Sequence, residues 1–154
     1  MDTLARSASL PYASSLHHSR VLLILCPTGA FCREDRCQSY FDVKLVPTMR
    51  PPMEECEIGG ALTAAGAAFA VIDAPAERLS DTDVLARIRR FEPDLLVCSV
   101  TFGSLEEDLR WIDRLSREFP RLPIGLRGAP AYVWGERLLR EQPALSFCVR
   151  GDYE

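Results

Sequence analysis

The sequence predicts a doubly wound α/β domain of flavodoxin-like or Rossmann-like type, a five-stranded parallel sheet between two layers of helices. Three observations carry this expectation. Short continuous apolar runs recur along the chain, segments of helical period separate them, and Gly, Pro or Asp marks most junctions. Unbroken apolar strands are buried on both faces, as in a parallel sheet, and helical crossovers are the connections such a sheet needs.

Residues 1–20 are rich in Ser and Ala and lack periodicity, so they read as a flexible leader to a domain spanning 21–154. Val21 to Cys26 is the first apolar run, closed by Pro27. The stretch from Thr28 to about Pro52 holds Pro47, Pro51, Pro52, Gly29 and many charges, too broken for a regular helix. A connection of that length is usually functional or disordered, and the charged segment Phe31 to Gln38 within it reads as a solvated loop or as a lid or interface. Met53 to Ala65 reads as a helix with Pro52 near its first turn and Gly66 as its stop; Gly59 and Gly60 weaken it but allow close packing.

Ala68 to Asp73 is the second strand. Ser80, with Asp81 and Asp83 following, opens a helix whose Val84, Leu85, Ile88 and Phe91 form one apolar stripe ending at Pro93. Asp94 to Ser99 is the third strand, and Ser104 with Glu107 is a capping-box pattern opening a helix through Leu105, Leu109, Ile112, Leu115 and Phe119. Ile124 to Arg127 is the fourth strand, Ala131 to Glu141 the last helix, and Leu145 to Arg150 the fifth strand. Right-handed crossovers then favour the strand order 2-1-3-4-5.

The 154 residues suit one domain, and 26% charged with 47% hydrophobic residues is an ordinary globular balance. A net charge of −4 argues against nucleic acid or an anionic membrane as main partner. No run approaches the roughly 20 apolar residues of a membrane span, and no signal-peptide core precedes the first strand, so the expected compartment is the cytosol. In that setting the six cysteines read as thiols, not as a disulfide framework. Cys26, Cys98 and Cys148 fall on strands as small hydrophobes, while Cys32 and Cys37 lie in the long connection; the C-x5-C-x4-C spacing from Cys26 matches no familiar metal pattern.

A doubly wound sheet binds ligands beyond the carboxyl ends of its strands. No G-x-G-x-x-G, phosphate loop or G-x-S-x-G elbow occurs there, and His17 and His18, the only histidines, precede the first strand, which argues against dinucleotide-binding and triad chemistry. The loop Ser99, Thr101, Gly103 and Ser104 offers hydroxyls, a glycine and a helix start; capping and turn formation explain the same residues. Asp73 sits where a ribose-binding acid occurs, or caps a loop. Gly128, Ala129 and Pro130 form a tight turn where a ligand can approach, or a turn and nothing more.

These segments together resemble the N-terminal cobalamin-binding domain of radical S-adenosylmethionine (radical SAM) enzymes, in the branch of the anaerobic magnesium-protoporphyrin ester cyclase and the hopanoid-biosynthesis enzymes. The resemblance rests on Arg50-Pro-Pro-Met53 before a Gly/Ala-rich helix, Val71 to Pro75, Pro93 to Val97, the Ser99 to Ser104 loop, Pro123 to Ala129, and Val149 to Glu154. It implies cobalamin (vitamin B12) as cofactor, with Ser99, Thr101 and Ser104 along its tail, Gly128 and Ala129 in the adjoining turn, and Gly151, Asp152 and Glu154 in the closing segment. Arg127 stands where that turn usually has a glycine, Asp152-Tyr153 replaces Glu-Gly, and the D-x-H-x-x-G motif that supplies a cobalt ligand elsewhere is missing.

No C-x3-C-x2-C occurs before Glu154, so the iron–sulfur cluster and S-adenosylmethionine would belong to a further domain or a separate catalytic partner. The expectation is a cobalamin-binding module that is not catalytic alone. Two alternatives stay open: a ligand-free interaction domain docking to a catalytic partner, and a flavodoxin-like flavin- or nucleotide-binding protein.

Overall fold

The computed structural model describes residues 18–28, 31–33, 38–40 and 51–151; most of the leader, Cys37, Asp152 and Glu154 lie outside them. In chain order the elements are β1 (Arg20–Leu25), β2 (Phe31–Arg33), β3 (Gln38–Tyr40), α1 (Met53–Ala64), β4 (Ala68–Asp73), α2 (Ala74–Glu77), α3 (Asp81–Phe91), β5 (Leu95–Ser99), α4 (Leu105–Glu118), β6 (Ile124–Arg127), α5 (Ala129–Glu141) and β7 (Phe147–Cys148). Five strands pair in parallel in the order β4-β1-β5-β6-β7, which is the expected 2-1-3-4-5 arrangement.

The alternation of side chains along each strand builds two cores. Leu22, Ile24, Leu96, Cys98, Ile124 and Leu126 face one way, against Val84, Leu85 and Ile88 of α3, Ile112 and Leu115 of α4, and Leu138 of α5. Val21, Leu23 and Val97 face the other way, where Ile58 and Leu62 of α1 pack. The sheet is therefore the middle layer of three. Full burial of one such Leu or Ile contributes about 1.5–3 kcal/mol, so the central strands anchor the fold.

Local signals explain the element boundaries. The Ser80 hydroxyl accepts from the Asp83 N–H at 3.2 Å while Asp83 accepts from the Ser80 N–H at 3.1 Å, a complete capping box. Helix α1 is different: Glu55 and Gly59 are its buried residues, and its first turn is held to the sheet by charge. A Cβ on Gly59 would fall 2.2 Å from the Phe69 ring, so this glycine permits the helix–strand contact; Gly60 faces open space and has no such role.

Four details differ from expectation. The long connection carries an antiparallel pair, β2 with β3, in which Phe31 and Tyr40 occupy opposed positions. Asp73 to Pro75 is no loop: Asp73 accepts from the Ala76 N–H at 3.2 Å and caps the one-turn helix α2. The last helix starts at Ala129, because Pro130 fits a first turn that needs no N–H there. The last strand shortens to Phe147–Cys148.

Candidate functional site

The carboxyl ends of β1, β5 and β6 bring two polar clusters to one edge of the sheet, one on each face. The strand order reverses between β1 and β5, so Cys26, Thr28, Ser99 and Thr101 flank the switch point.

On the α1 face, Arg127 ends β6 with 3% of its side chain exposed. Its Nη1 donates to Glu55 Oε1 and, at 2.9 Å, to Ser99 Oγ; Ser99 Oγ donates in turn to Glu55 Oε1 at 2.8 Å. Nη2 donates to Glu54 Oε2. A buried guanidinium is tolerated only when paired and hydrogen-bonded, and here α1 delivers both carboxylates from consecutive positions.

On the α4 face, Asp108 is buried beneath the start of its helix. Thr28 donates to Asp108 Oδ1, Ser104 Oγ donates to Oδ2 at 2.7 Å, and the Thr101 and Ser104 hydroxyls are 3.1 Å apart. Burial pushes the Asp108 carboxyl above its ordinary range, against the hydrogen bonds from Thr28 and Ser104, which favour the ionised form. Cys26 and Cys98 adjoin this cluster. Their mutual hydrogen bond and burial hold the Cys26 thiol well above its usual value, so it is a packed, unreactive thiol. Burial likewise raises Cys148.

The expected site residues thus divide. Ser99 and Ser104 are buried and engaged with protein groups. The expected capping box at Ser104 does not form: φ −117° and ψ 3° turn its hydroxyl inward to Asp108, and Glu107 lies beside Arg110 instead. Gly128 is required by the backbone itself, with φ +107° and a would-be Cβ 2.2 Å from Val100 O. Pro130 is buried in the first turn of α5. Thr101 is half-buried, whereas Gly103, Ala129 and Gly151 are exposed at the edge. Asp152 and Glu154 lie outside the described residues.

Glu55, Arg127, Asp108 and Thr28 stand at this edge as well, and the sequence alone assigns them no site role. Asp108 carried a signal: it falls within the apolar stripe of α4, three residues after Leu105 and four before Ile112. Arg127 carried another, as a cation closing an apolar strand.

Large apolar groups ring the same edge. Phe102, Tyr132, Val133 and Trp134 are each between 42% and 59% exposed. Phe102 meets Trp134 edge to face at 4.9 Å, and the Arg150 guanidinium lies 5.9 Å from the Tyr132 ring. Three consecutive exposed apolar residues at a helix start are unusual on a surface that stays in water. A groove of about 460 Å³ lined by Pro93, Asp94, Phe119 and Leu122 opens at the opposite, amino edge. His18 also precedes β1, so among the described residues no imidazole reaches the carboxyl edge. Among the described residues no group of three His, Cys, Asp or Glu is placed to hold a metal ion, and no helix is long and apolar enough to cross a membrane.

No family model and no curated protein matches this chain. A solved structure of the anti-anti-sigma factor PhyR from Bartonella quintana is similar in fold, with a TM-score of 0.50 at 12% sequence identity. The likeness covers 90% of this chain and 43% of PhyR, so the chain spans less than half that protein's length. At that identity the comparison bears on the three-layer α/β fold alone.

Proposed function

We propose that the chain is a cobalamin-binding module of the radical SAM type, holding the corrin over the carboxyl edge of the sheet and not catalytic by itself. The observation that carries this reading is the joining, at one edge, of the exposed small residues Gly103, Ala129 and Gly151 with the apolar rim of Phe102, Tyr132 and Trp134. A large ring with an apolar face and amide side chains needs that combination of flat apolar surface and peptide groups. Gly103, Ala129 and Gly151 would meet its polar periphery, and the aromatic rim its face. Ser99 and Ser104 fit less well, since Glu55, Arg127 and Asp108 already occupy their hydroxyls.

When bound, the cofactor supplies methyl-transfer or radical chemistry; this chain's residues orient it and exclude water from one face. An iron–sulfur, S-adenosylmethionine-dependent domain or partner would carry out the reaction. The test is purification in the presence of hydroxocobalamin. Corrin absorbance co-eluting with the protein supports the reading, and its absence at every loading concentration overturns it.

A second reading is a ligand-free docking domain, favoured by the exposed rim and by the internal satisfaction of Ser99 and Ser104. It predicts that a catalytic partner binds equally well with and without hydroxocobalamin, and that Phe102 or Trp134 variants weaken that binding.

A further inference from the structure

The two ends of the Arg127 guanidinium are held differently. Nη1 is fixed by Glu55, itself 4% exposed, and by Ser99, so the plane of the group is set from within the fold. Nη2 meets Glu54, whose side chain is 57% exposed. A solvent-facing carboxylate thus reaches inward to a buried cation at the carboxyl edge. Such an ion pair gains little from its exposed member, because water competes for that carboxylate.

Among the described residues, apolar packing does little to hold this turn in place. Within α1 the buried residues are Glu55 and Gly59, and the apolar contacts of Ile58 and Leu62 lie further along the helix. Glu54 can swing out without opening the core, whereas Glu55 cannot leave without stranding Arg127. Once Glu54 departs, Nη2 loses that partner while Glu55 and Ser99 keep the guanidinium aligned, so it can donate to an oxyanion that takes the place of Glu54.

We propose that Arg127 is an oxyanion-binding residue whose resting occupant is the Glu54 carboxylate, exchanged for a phosphate or carboxylate group of an incoming ligand. Glu55 and Ser99 are its positioning residues. Glu54 stays tethered beside the site after it swings aside, so the incoming anion binds against its charge, and neutralising Glu54 strengthens binding. The proposal goes beyond the cobalamin reading and does not depend on it, because its probes contain no corrin.

Inorganic phosphate and acetate are titrated into the full chain and read by calorimetry, in wild type, Glu54→Gln and Glu57→Gln. Glu57, exposed on the same helix, controls for the change in overall charge. Removing the competing carboxylate is expected to raise phosphate affinity about tenfold, with Glu57→Gln close to wild type. Acetate following the same order assigns the site to oxyanions in general; phosphate alone assigns it to tetrahedral anions. Equal affinities in Glu54→Gln and Glu57→Gln would overturn the proposal. Arg127→Gln strands a buried carboxylate and can unfold the chain, so Glu54→Gln is also combined with Arg127→Gln and Glu55→Gln, which removes all three charges. Loss of phosphate binding there, with far-UV circular dichroism retained, supports the proposal; persistent binding rejects it.

Discussion

Substitutions at Asp108 separate the two things its buried carboxylate does. It accepts hydrogen bonds from Thr28, Ser104 and the Thr101 backbone, and it carries the cost of burying a charge. Asp108→Ala leaves those three donors without their acceptor, with Ser104 buried and Thr28 and Thr101 half-buried. At about 1 kcal/mol per bond the loss is about 2–3 kcal/mol, the lower end where water reaches Thr28 and Thr101. Asp108→Asn keeps the shape and one acceptor oxygen. Its new N–H groups can donate to Ser104 Oγ, which can then donate to Thr101 Oγ1 at 3.1 Å, so the loss stays under about 1 kcal/mol.

The pH dependence has a definite sign. Burial raises the folded carboxyl above its ordinary range, so the folded state holds this proton more tightly than the unfolded chain. The associated stabilisation is complete below the ordinary carboxylate range and is withdrawn as pH rises through the folded value. The Asn variant carries no such charge, so its stability relative to wild type should improve from about pH 4 to about pH 7. Urea unfolding followed by fluorescence of the buried Trp111 reads both comparisons. Equal losses for Ala and Asn, or an Asn-to-wild-type difference that stays flat or worsens with pH, would refute the reasoning.

Other substitutions test separate links. Gly128→Ala should cost about 2–4 kcal/mol in chemical denaturation, because φ +107° with ψ 177° is glycine territory and Val100 O blocks the new methyl. Ser80→Ala should cost about 1 kcal/mol by the same assay, through loss of the capping box on α3. Trp134→Ala should change stability by less than about 1 kcal/mol, since the ring is exposed and meets Phe102 edge to face. The same variant should clearly weaken whatever binds the rim, measured by cofactor or partner titration.

The strand order was legible because it depends on local signals. The runs at 21–26, 68–73 and 94–99, and the capped stripe of α3, each report their own environment within a dozen residues. Helix α2 was missed because one turn has no period to detect, and the start of α5 because Gly-Ala-Pro reads equally as turn or first helical turn. At the edge, the sequence pointed to the loops after β5 and β6, but not to the partners their side chains find within the fold. Ser99 and Ser104 offered hydroxyls for a ligand or for a cap and turn; in the fold they bond Glu55, 44 positions away, and Asp108, across a helical turn. Nothing local to Glu54 and Glu55 signals that Arg127, more than 70 positions later, will be buried against them. Polar pairing across the sheet is a consequence of topology, so it emerges only after the strands are in order.

The central claim is that the carboxyl edge of the sheet is where the ligand sits, and a spectral titration with hydroxocobalamin tests it most directly. Two bulky substitutions at exposed positions mark the two edges: Ala129→Trp at the carboxyl edge and Arg121→Trp beside the groove at the amino edge. The account predicts saturable binding by wild type and by Arg121→Trp alike, with affinity about tenfold or more weaker in Ala129→Trp. No saturable corrin binding by wild type, or equal affinity in the two variants, would contradict it.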